Sequence, residues 1–347
     1  MREEAFHVGV TRDVLRPDGS LVFAPVGLDA LEQPGFVVRY LDENRDELGA
    51  DQLADLDALF HFSPVVSSSS LDGVDRLALI ARHGVGLDFI DLDACTARGI
   101  AVTITPGGVT RAMASAAVAL VLALSHRLLQ RHEHLVEGRW SEGRFDLLGL
   151  GLTGRTLGVI GYGRIGREVV RLLRPWELRV LVAQRSDPHD AEVEHVPLET
   201  LLENADVVVV ACPLTPETHH LLDARRLGRM KPTALLVNVS RGKIVDQAAL
   251  VDALRTGRLG GAGLDVFEQE PVAPDDPILT APGLVGAPHS LGYWDELFRR
   301  CVEEACSAIL DVAAGRTPPD IANTDVLESP LFAEKLARFA ARRGGTP

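Results

Sequence analysis

The sequence predicts an α/β protein built as two doubly wound, Rossmann-like domains, and three observations carry that expectation. The chain has 347 residues, more than one average domain holds. Apolar runs of strand length alternate with helical patterns along it, the signature of parallel sheets covered by helices. Finally, the apolar stretch from Thr156 to Ile160 ends in glycines at 161, 163 and 166 ahead of the amphipathic Glu168–Leu173. Strand, G-x-G-x-x-G and helix in that order mark a dinucleotide fold.

Composition narrows the function classes. Hydrophobic residues make up 46% and charged residues 24%, a globular balance, and the formal charge of −14 argues against nucleic acid, which needs clustered Lys and Arg. Cys95, Cys212, Cys301 and Cys306 have neither C-x-x-C nor zinc spacing, so reduced thiols and a cytoplasmic location are expected, with no metal. The N-terminus shows no apolar signal region.

In chain order, His7–Thr11 and Phe36–Tyr40 read as strands, with turn chemistry at Arg16-Pro-Asp-Gly-Ser20 between them. Asp57–Phe62 and Leu77–Ala81 read as further buried strands, and Ser67 to Ser70 as a strand-end loop. The glycines of Arg82-His-Gly-Val-Gly-Leu-Asp88 follow a buried strand. They suit backbone N–H groups that hold a carboxylate, and equally an ordinary strand-to-helix turn. Ala112 to Leu124 is apolar all round its helix, which calls for burial on several sides, and is too short to cross a bilayer. A polar, irregular stretch from Glu137 to Gly149 leads into the glycine motif. Beyond it, strands are expected at Arg179–Ala183, Asp206–Ala211, Ala234–Asn238, Gly261–Asp265 and Leu284–Ala287. Helices are expected at Leu198–Asn204, Asp223–Met230 and Gln247–Thr256, and later at Glu296–Ala314 and Pro330–Arg342.

The glycines have distinct tasks. Gly161 permits a tight turn, Gly163 lets the backbone approach a pyrophosphate, and Gly166 lets the helix lie close to its strand. The N-terminus of that helix offers N–H groups and partial positive charge to phosphates. Three polar residues then each follow a strand of the same sheet: Arg241 in Asn238-Val-Ser-Arg-Gly242, Glu270 in Asp265-Val-Phe-Glu-Gln-Glu-Pro271, and His289 in Ala287-Pro-His-Ser290. A guanidinium grips a carboxylate and polarises a carbonyl. A carboxylate beside an imidazole favours the charged ring and keeps a proton available. Together these groups can reduce a ketone with hydride from a nicotinamide and a proton from His289.

With these motifs in view, the chain resembles the D-isomer-specific 2-hydroxyacid dehydrogenases. The likeness runs through Gly84-Val-Gly-Leu-Asp88, Gly161-Tyr-Gly-Arg-Ile-Gly166, Cys212-Pro-Leu-Thr-Pro-Glu-Thr218, Asn238–Gly242, Gly263–Pro271 and Pro288-His289. The resemblance implies a flavodoxin-like substrate-binding domain of residues 1–105 and 291–347, a dinucleotide-binding domain of residues 106–290, and a homodimer built partly on the Ala112 helix. It implies that Arg241 orients the 2-oxo acid, that His289 is the acid/base and Glu270 tunes it, and that the backbone of Val85 and Gly86 holds the substrate carboxylate. The cofactor would meet Gly161, Gly163, Arg164, Ile165 and Gly166, then Cys212, Pro213, Leu214, Thr218 and Val239, with Asp265 near the carboxamide.

Departures from the family pattern carry information. Where NAD-using members carry an acidic residue after the second nucleotide strand, this chain has Gln184, followed by Arg185 and Ser186. Loss of a negative charge beside a guanidinium and a hydroxyl suits a 2′-phosphate, so NADP(H) is favoured over NAD(H). Phe89 and Ile104 stand where Asn is frequent and Ser115 where Glu is frequent, which lowers polarity on the substrate side. Tyr293 and Trp294 fit two readings, a pocket wall or packing at the domain joint. The expected function is hydride transfer between NAD(P)(H) and a small 2-hydroxy or 2-oxo acid such as glyoxylate, hydroxypyruvate or a phosphorylated relative, without nucleic-acid or membrane partners. The alternatives are a phosphite- or phosphonate-type dehydrogenase on the same fold and a cofactor-sensing, corepressor-like scaffold.

Overall fold

The computed structural model describes residues 5–16, 18–22, 28–141 and 147–343. Pro17 of the expected turn and residues 142–146 of the expected irregular stretch lie outside the described residues. Contacts divide the chain into two compact units, residues 1–109 with 293–347, and residues 110–292.

In the first unit β1 (Phe6–Val10), β2 (Phe36–Tyr40), β3 (Ala58–His61), β4 (Leu79–Arg82) and β5 (Ala101–Thr103) are parallel in the order β2-β1-β3-β4-β5. This is the flavodoxin-like winding. The central β3 is buried along its whole length, as a parallel strand covered on both faces must be. The edge strand β2 is only partly covered. The free edge of β5 is capped by the segment after the long helix Asp295–Ala313. Ile321 bridges Thr103 in antiparallel fashion, and the Asn323 side chain accepts from the Val102 N–H at 2.8 Å and donates to the Ile100 carbonyl at 2.9 Å. An edge closed in this way cannot template a further strand.

The C-terminal helix Pro330–Arg343 docks on this same unit. Phe339 packs edge-on to Phe6 with ring centroids 4.9 Å apart. Lys335 is buried and donates to the carbonyls of Leu77 and Arg98, both at 2.7 Å. Arg338 reaches the fully buried Asp57, which also accepts from the Arg76 guanidinium at 2.8 and 2.9 Å and from the His7 N–H at 2.8 Å.

In the second unit β6 (Thr156–Ile160), β7 (Arg179–Ala183), β8 (Glu194–His195), β9 (Val207–Val210), β10 (Leu235–Asn238), β11 (Gly261–Leu264) and β12 (Leu284–Gly286) form one parallel sheet in the order β12-β11-β10-β9-β6-β7-β8. Winding starts at β6 and reverses between β6 and β9, which puts the ligand crevice of such a sheet at the carboxyl ends of those strands. Packing explains the small residues. A Cβ on Gly158 would stand 2.5 Å from Leu201 of the helix Leu198–Asn204, and one on Gly263 3.0 Å from Leu120.

Two elements depart from expectation. The apolar helix covers Pro106–Ser125 rather than starting at Ala112, and is therefore long and apolar enough to cross a membrane by length and composition. Its early start has a local cause: the Gly107 N–H donates to Glu304, and Gly108 lies so close to the next helix that a Cβ would sit 2.9 Å from the Leu297 carbonyl. About half of it is buried, with Ala114, Ala117, Leu120, Val121 and Leu124 in the core of the second unit. A second helix, Leu128–Val136, follows a left-handed Arg127 and buries none of its residues.

Candidate active site

The glycine turn is shaped by two contacts and one opening. Gly161 has φ of +91°, and a Cβ there would lie 2.6 Å from the Cys212 backbone; a Cβ on Gly166 would lie 2.3 Å from the Gly161 carbonyl oxygen. Both positions therefore demand glycine for internal reasons. At Gly163 a Cβ would meet nothing within 4 Å among the described residues, and the helix Arg164–Leu173 starts directly after it. This glycine leaves room for something outside the protein. Arg164 opens the helix, and Ile165 turns its side chain onto the core.

At the end of β7, Gln184 is a strut. Its Oε1 accepts from the Tyr162 N–H at 3.1 Å and its Nε2 donates to the Ser186 carbonyl at 2.7 Å. Arg185 and Ser186 are exposed beside it. The Arg185 charge contributes to holding the Glu217 carboxyl below its ordinary range, behind the Thr215 hydroxyl and a backbone hydrogen bond. After β9, Cys212 is buried, Pro213 is exposed and Leu214 packs on the core, while the Thr218 hydroxyl closes its own loop onto the Pro213 carbonyl at 2.8 Å. Val239 is buried after β10, so a ligand would meet its backbone rather than its side chain.

The loops after β10, β11 and β12 bring Arg241, Glu270 and His289 together. Asn238 shapes the first of them: its Oδ1 accepts from the Ser240 N–H at 3.0 Å and its Nδ2 donates to the Arg241 carbonyl at 2.9 Å. Gly242 then lies directly on the next loop, and a Cβ there would fall 1.9 Å from the Phe267 carbonyl carbon. The glycine after the arginine is thus what lets the two loops touch. In the second loop Glu270 Oε1 accepts from the Phe267 N–H at 2.9 Å, and Glu268 is held by Gln247 and by His220, the latter at 2.7 Å. Glu270 Oε2 faces His289 Nδ1 at 2.7 Å. Burial alone would raise the Glu270 carboxyl, but the His289 hydrogen bond, the Phe267 N–H and the charges of His289 and Arg241 outweigh it and hold the group below the usual carboxylate range.

His289 itself adopts a left-handed backbone, φ of +50°, uncommon for a residue with a Cβ. Asp265 stabilises that geometry: it is almost wholly buried, and its Oδ1 accepts from the Ser290 and Leu291 N–H groups at 2.9 and 3.1 Å. Burial pushes the Asp265 carboxyl up. Its Oδ2 is buried with no hydrogen-bond partner among the described residues, an arrangement that costs free energy unless a donor arrives. The orphaned Asp265 oxygen and the open space over Gly163 both fit a nicotinamide dinucleotide along this sheet edge. Among the described residues, no group of three or more His, Cys, Asp or Glu could hold a metal ion.

Val85 and Gly86 stand in the other unit, on the loop after β4. Gly84 has φ of +128°, its N–H donates to the Thr105 hydroxyl at 2.7 Å, and the Arg82 Nε donates to the Gly86 carbonyl at 3.2 Å. Among the described residues no acceptor meets the Val85 or Gly86 N–H, so both are available to a ligand. Sequence reasoning missed Asn238, Gly242 and the anchoring task of Asp265. The Asn238-x-Ser-Arg-Gly242 spacing carried the signal, since Asn side chains close turns two residues on.

Comparisons with known proteins bear on the family and the fold. The family model described as the NAD binding domain of D-isomer specific 2-hydroxyacid dehydrogenases matches residues 118–290. A glyoxylate reductase from Korarchaeum cryptofilum is 40% identical over 285 residues, covering 80% of this chain and 86% of that protein. Among solved structures, a protein from Thermus thermophilus superposes with a TM-score of 0.80 at 36% identity, covering 91% of this chain and 100% of the other. An NADPH-dependent glyoxylate/hydroxypyruvate reductase from Sinorhizobium meliloti, in complex with NADP and malonate, gives 0.79 at 29% identity, with coverage of 92% and 98%.

Proposed function

The chain belongs to the D-isomer specific 2-hydroxyacid dehydrogenase family, and on that premise we propose that it is an NAD(P)-dependent dehydrogenase that reduces a small 2-oxo acid with Arg241, Glu270 and His289. The observation that carries this reading is the Glu270–His289 pair at 2.7 Å, flanked by Arg241 and by the unpartnered Asp265 oxygen.

The roles follow from the donors and acceptors available. Arg241 presents a guanidinium that grips the substrate carboxylate and polarises the carbonyl at C2. With Nδ1 donating to Glu270, His289 turns Nε2 outward and gives its proton to the carbonyl oxygen as the alcohol forms. Glu270 fixes the ring orientation and stabilises the imidazolium. The N–H groups of Val85 and Gly86 hold the carboxylate. Gly161, Gly163, Arg164 and the loop from Cys212 to Thr218 would hold the pyrophosphate of the dinucleotide, and Asp265, with its unpartnered Oδ2, would receive the carboxamide. The bound dinucleotide supplies the hydride.

NADP(H) is preferred, because Gln184 is engaged with its own backbone and leaves Arg185 and Ser186 to receive a 2′-phosphate. The protein works in the cytoplasm, supported by four free, buried thiols. It works as a homodimer, supported by the exposed Leu128, Leu135, Val136, Trp140 and Leu148 beyond the apolar helix; light scattering then gives the mass of two 37.4 kDa chains. The deciding experiment is turnover of 2-oxo acids with NADPH and NADH. Activity that drops about 10²- to 10⁴-fold in His289→Ala supports the assignment. Wild-type protein inactive on every acid, or undiminished activity in both His289→Ala and Arg241→Ala, overturns it.

A further inference from the structure

The carboxyl ends of β3 and β4 in the first unit carry an aromatic surface that the reaction chemistry does not use. Phe62 follows β3, and its ring lies 5.2 Å from that of His83, which follows β4. His83 stacks on Phe298 at 5.5 Å, and Phe298 meets Tyr293 edge-on at 5.2 Å. His83 and Phe298 are buried, Phe62 is half-buried, and Tyr293 is 56% exposed, so the surface ends in accessible ring. His83 immediately precedes the Gly84–Gly86 loop.

The charge balance of this surface is equally specific. Arg82 is turned onto its own loop: its Nε donates to the Gly86 carbonyl at 3.2 Å, a terminal nitrogen donates to the His83 carbonyl, and its Cζ lies 4.7 Å from the centre of the Phe89 ring. The other face-to-face partner of Phe89 is His61, 5.6 Å away. Burial, with the Arg82 charge second, pushes both His61 and His83 down to about 3, so each is a neutral ring at physiological pH. Neither imidazole supplies a positive charge to a phosphate.

We infer that the preferred substrates are 2-oxo acids whose C3 carries an uncharged aromatic or bulky apolar substituent, selected by Phe62 and Tyr293 beside the carboxylate-holding loop. This rests on the reading of Val85 and Gly86 as that loop. A substituent of this kind covers apolar ring surface that glyoxylate would leave in water, while a phosphorylated substituent would lose hydration without gaining a cation.

The test measures kcat/KM of the full chain for glyoxylate, hydroxypyruvate, phenylpyruvate and 3-phosphohydroxypyruvate at saturating NADPH. Phenylpyruvate should exceed glyoxylate by about tenfold or more, with the phosphorylated acid lowest. The exposed Tyr293→Ser variant should lose about tenfold on phenylpyruvate, through KM, and stay within about twofold on glyoxylate. Preference for glyoxylate or for the phosphorylated acid overturns the inference, as does an equal loss on all substrates in Tyr293→Ser. Inactivity on all four acids overturns instead the dehydrogenase reading on which it rests.

Discussion

Glu270 Oε2 stands 2.7 Å from His289 Nδ1, while its second oxygen is held by the Phe267 N–H at 2.9 Å. The carboxylate is therefore pinned by backbone on one side and orients an imidazole on the other. In Glu270→Gln the ring keeps a hydrogen-bond partner but loses the anion that stabilises the imidazolium formed during turnover, so kcat/KM for the oxo acid falls about tenfold or more. Activity within about twofold of the wild type refutes the pairing.

Gly163 and Gly242 differ in what an added methyl would meet. Gly242→Ala drives a methyl into the Phe267 backbone and lowers stability by about 2 kcal/mol or more. Gly163→Ala meets no protein atom within 4 Å, so its melting temperature stays put while dinucleotide affinity falls about tenfold or more. Calorimetric melting and fluorescence titration distinguish the two. Equal melting losses in both variants contradict the assignment.

The proposed preference for NADP(H) rests on the residues at the end of β7. The wild type should give a ratio of kcat/KM for NADPH over NADH above one, and Gln184→Asp with Arg185→Ala should invert it. A parent enzyme that prefers NADH ends the proposal.

The C-terminal helix is held by a buried charge. Asp57 is fully buried and binds Arg76, Arg338 and the His7 N–H, so Asp57→Ala strands arginines beside a dry cavity and costs about 3 to 5 kcal/mol. Urea denaturation measures this. A loss below about 1 kcal/mol shows that the cluster is ornamental.

Alkaline stability follows from the thiols. Burial raises Cys95 and Cys306 to about 12, and Cys212 and Cys301 to about 11, above the ordinary 9.0. A raised folded-state value gives stability that is complete below pH 9 and is lost as pH climbs toward 11 to 12. Lys335, lowered to about 8 mainly by its burial, acts oppositely, because the unfolded chain binds more protons between pH 8 and 10.5 and stability there gains with pH. With four thiols against one lysine, melting temperature should fall from pH 9 to 11, and less steeply in Cys306→Ala. A rise over that range contradicts the balance.

The sequence was most readable where local chemistry and burial agree. Val207–Val210 and Val180–Ala183 are apolar, valine-containing runs, and the strands Val207–Val210 and Arg179–Ala183 each fall within a residue of the expected span. The glycine turn was legible because two of its glycines answer to backbone contacts a few residues away or one strand over. Leu128–Val136 was not, since a helix that buries nothing leaves no core-facing stripe to detect. Glu194–His195 is too short for any periodicity. The strut made by Gln184 and the contact of Gly242 with Phe267 depend on which loops become neighbours, which one-dimensional spacing does not record.

That contact at Gly242 has a practical side. With no room for even a methyl group between them, the arginine-bearing and glutamate-bearing segments cannot drift independently and behave as one cartridge. An engineer wishing to retarget this scaffold should transplant residues 238–242 and 265–270 together or leave both alone, and spend mutagenesis on the aromatic rim, where selectivity can be varied without disturbing the machinery.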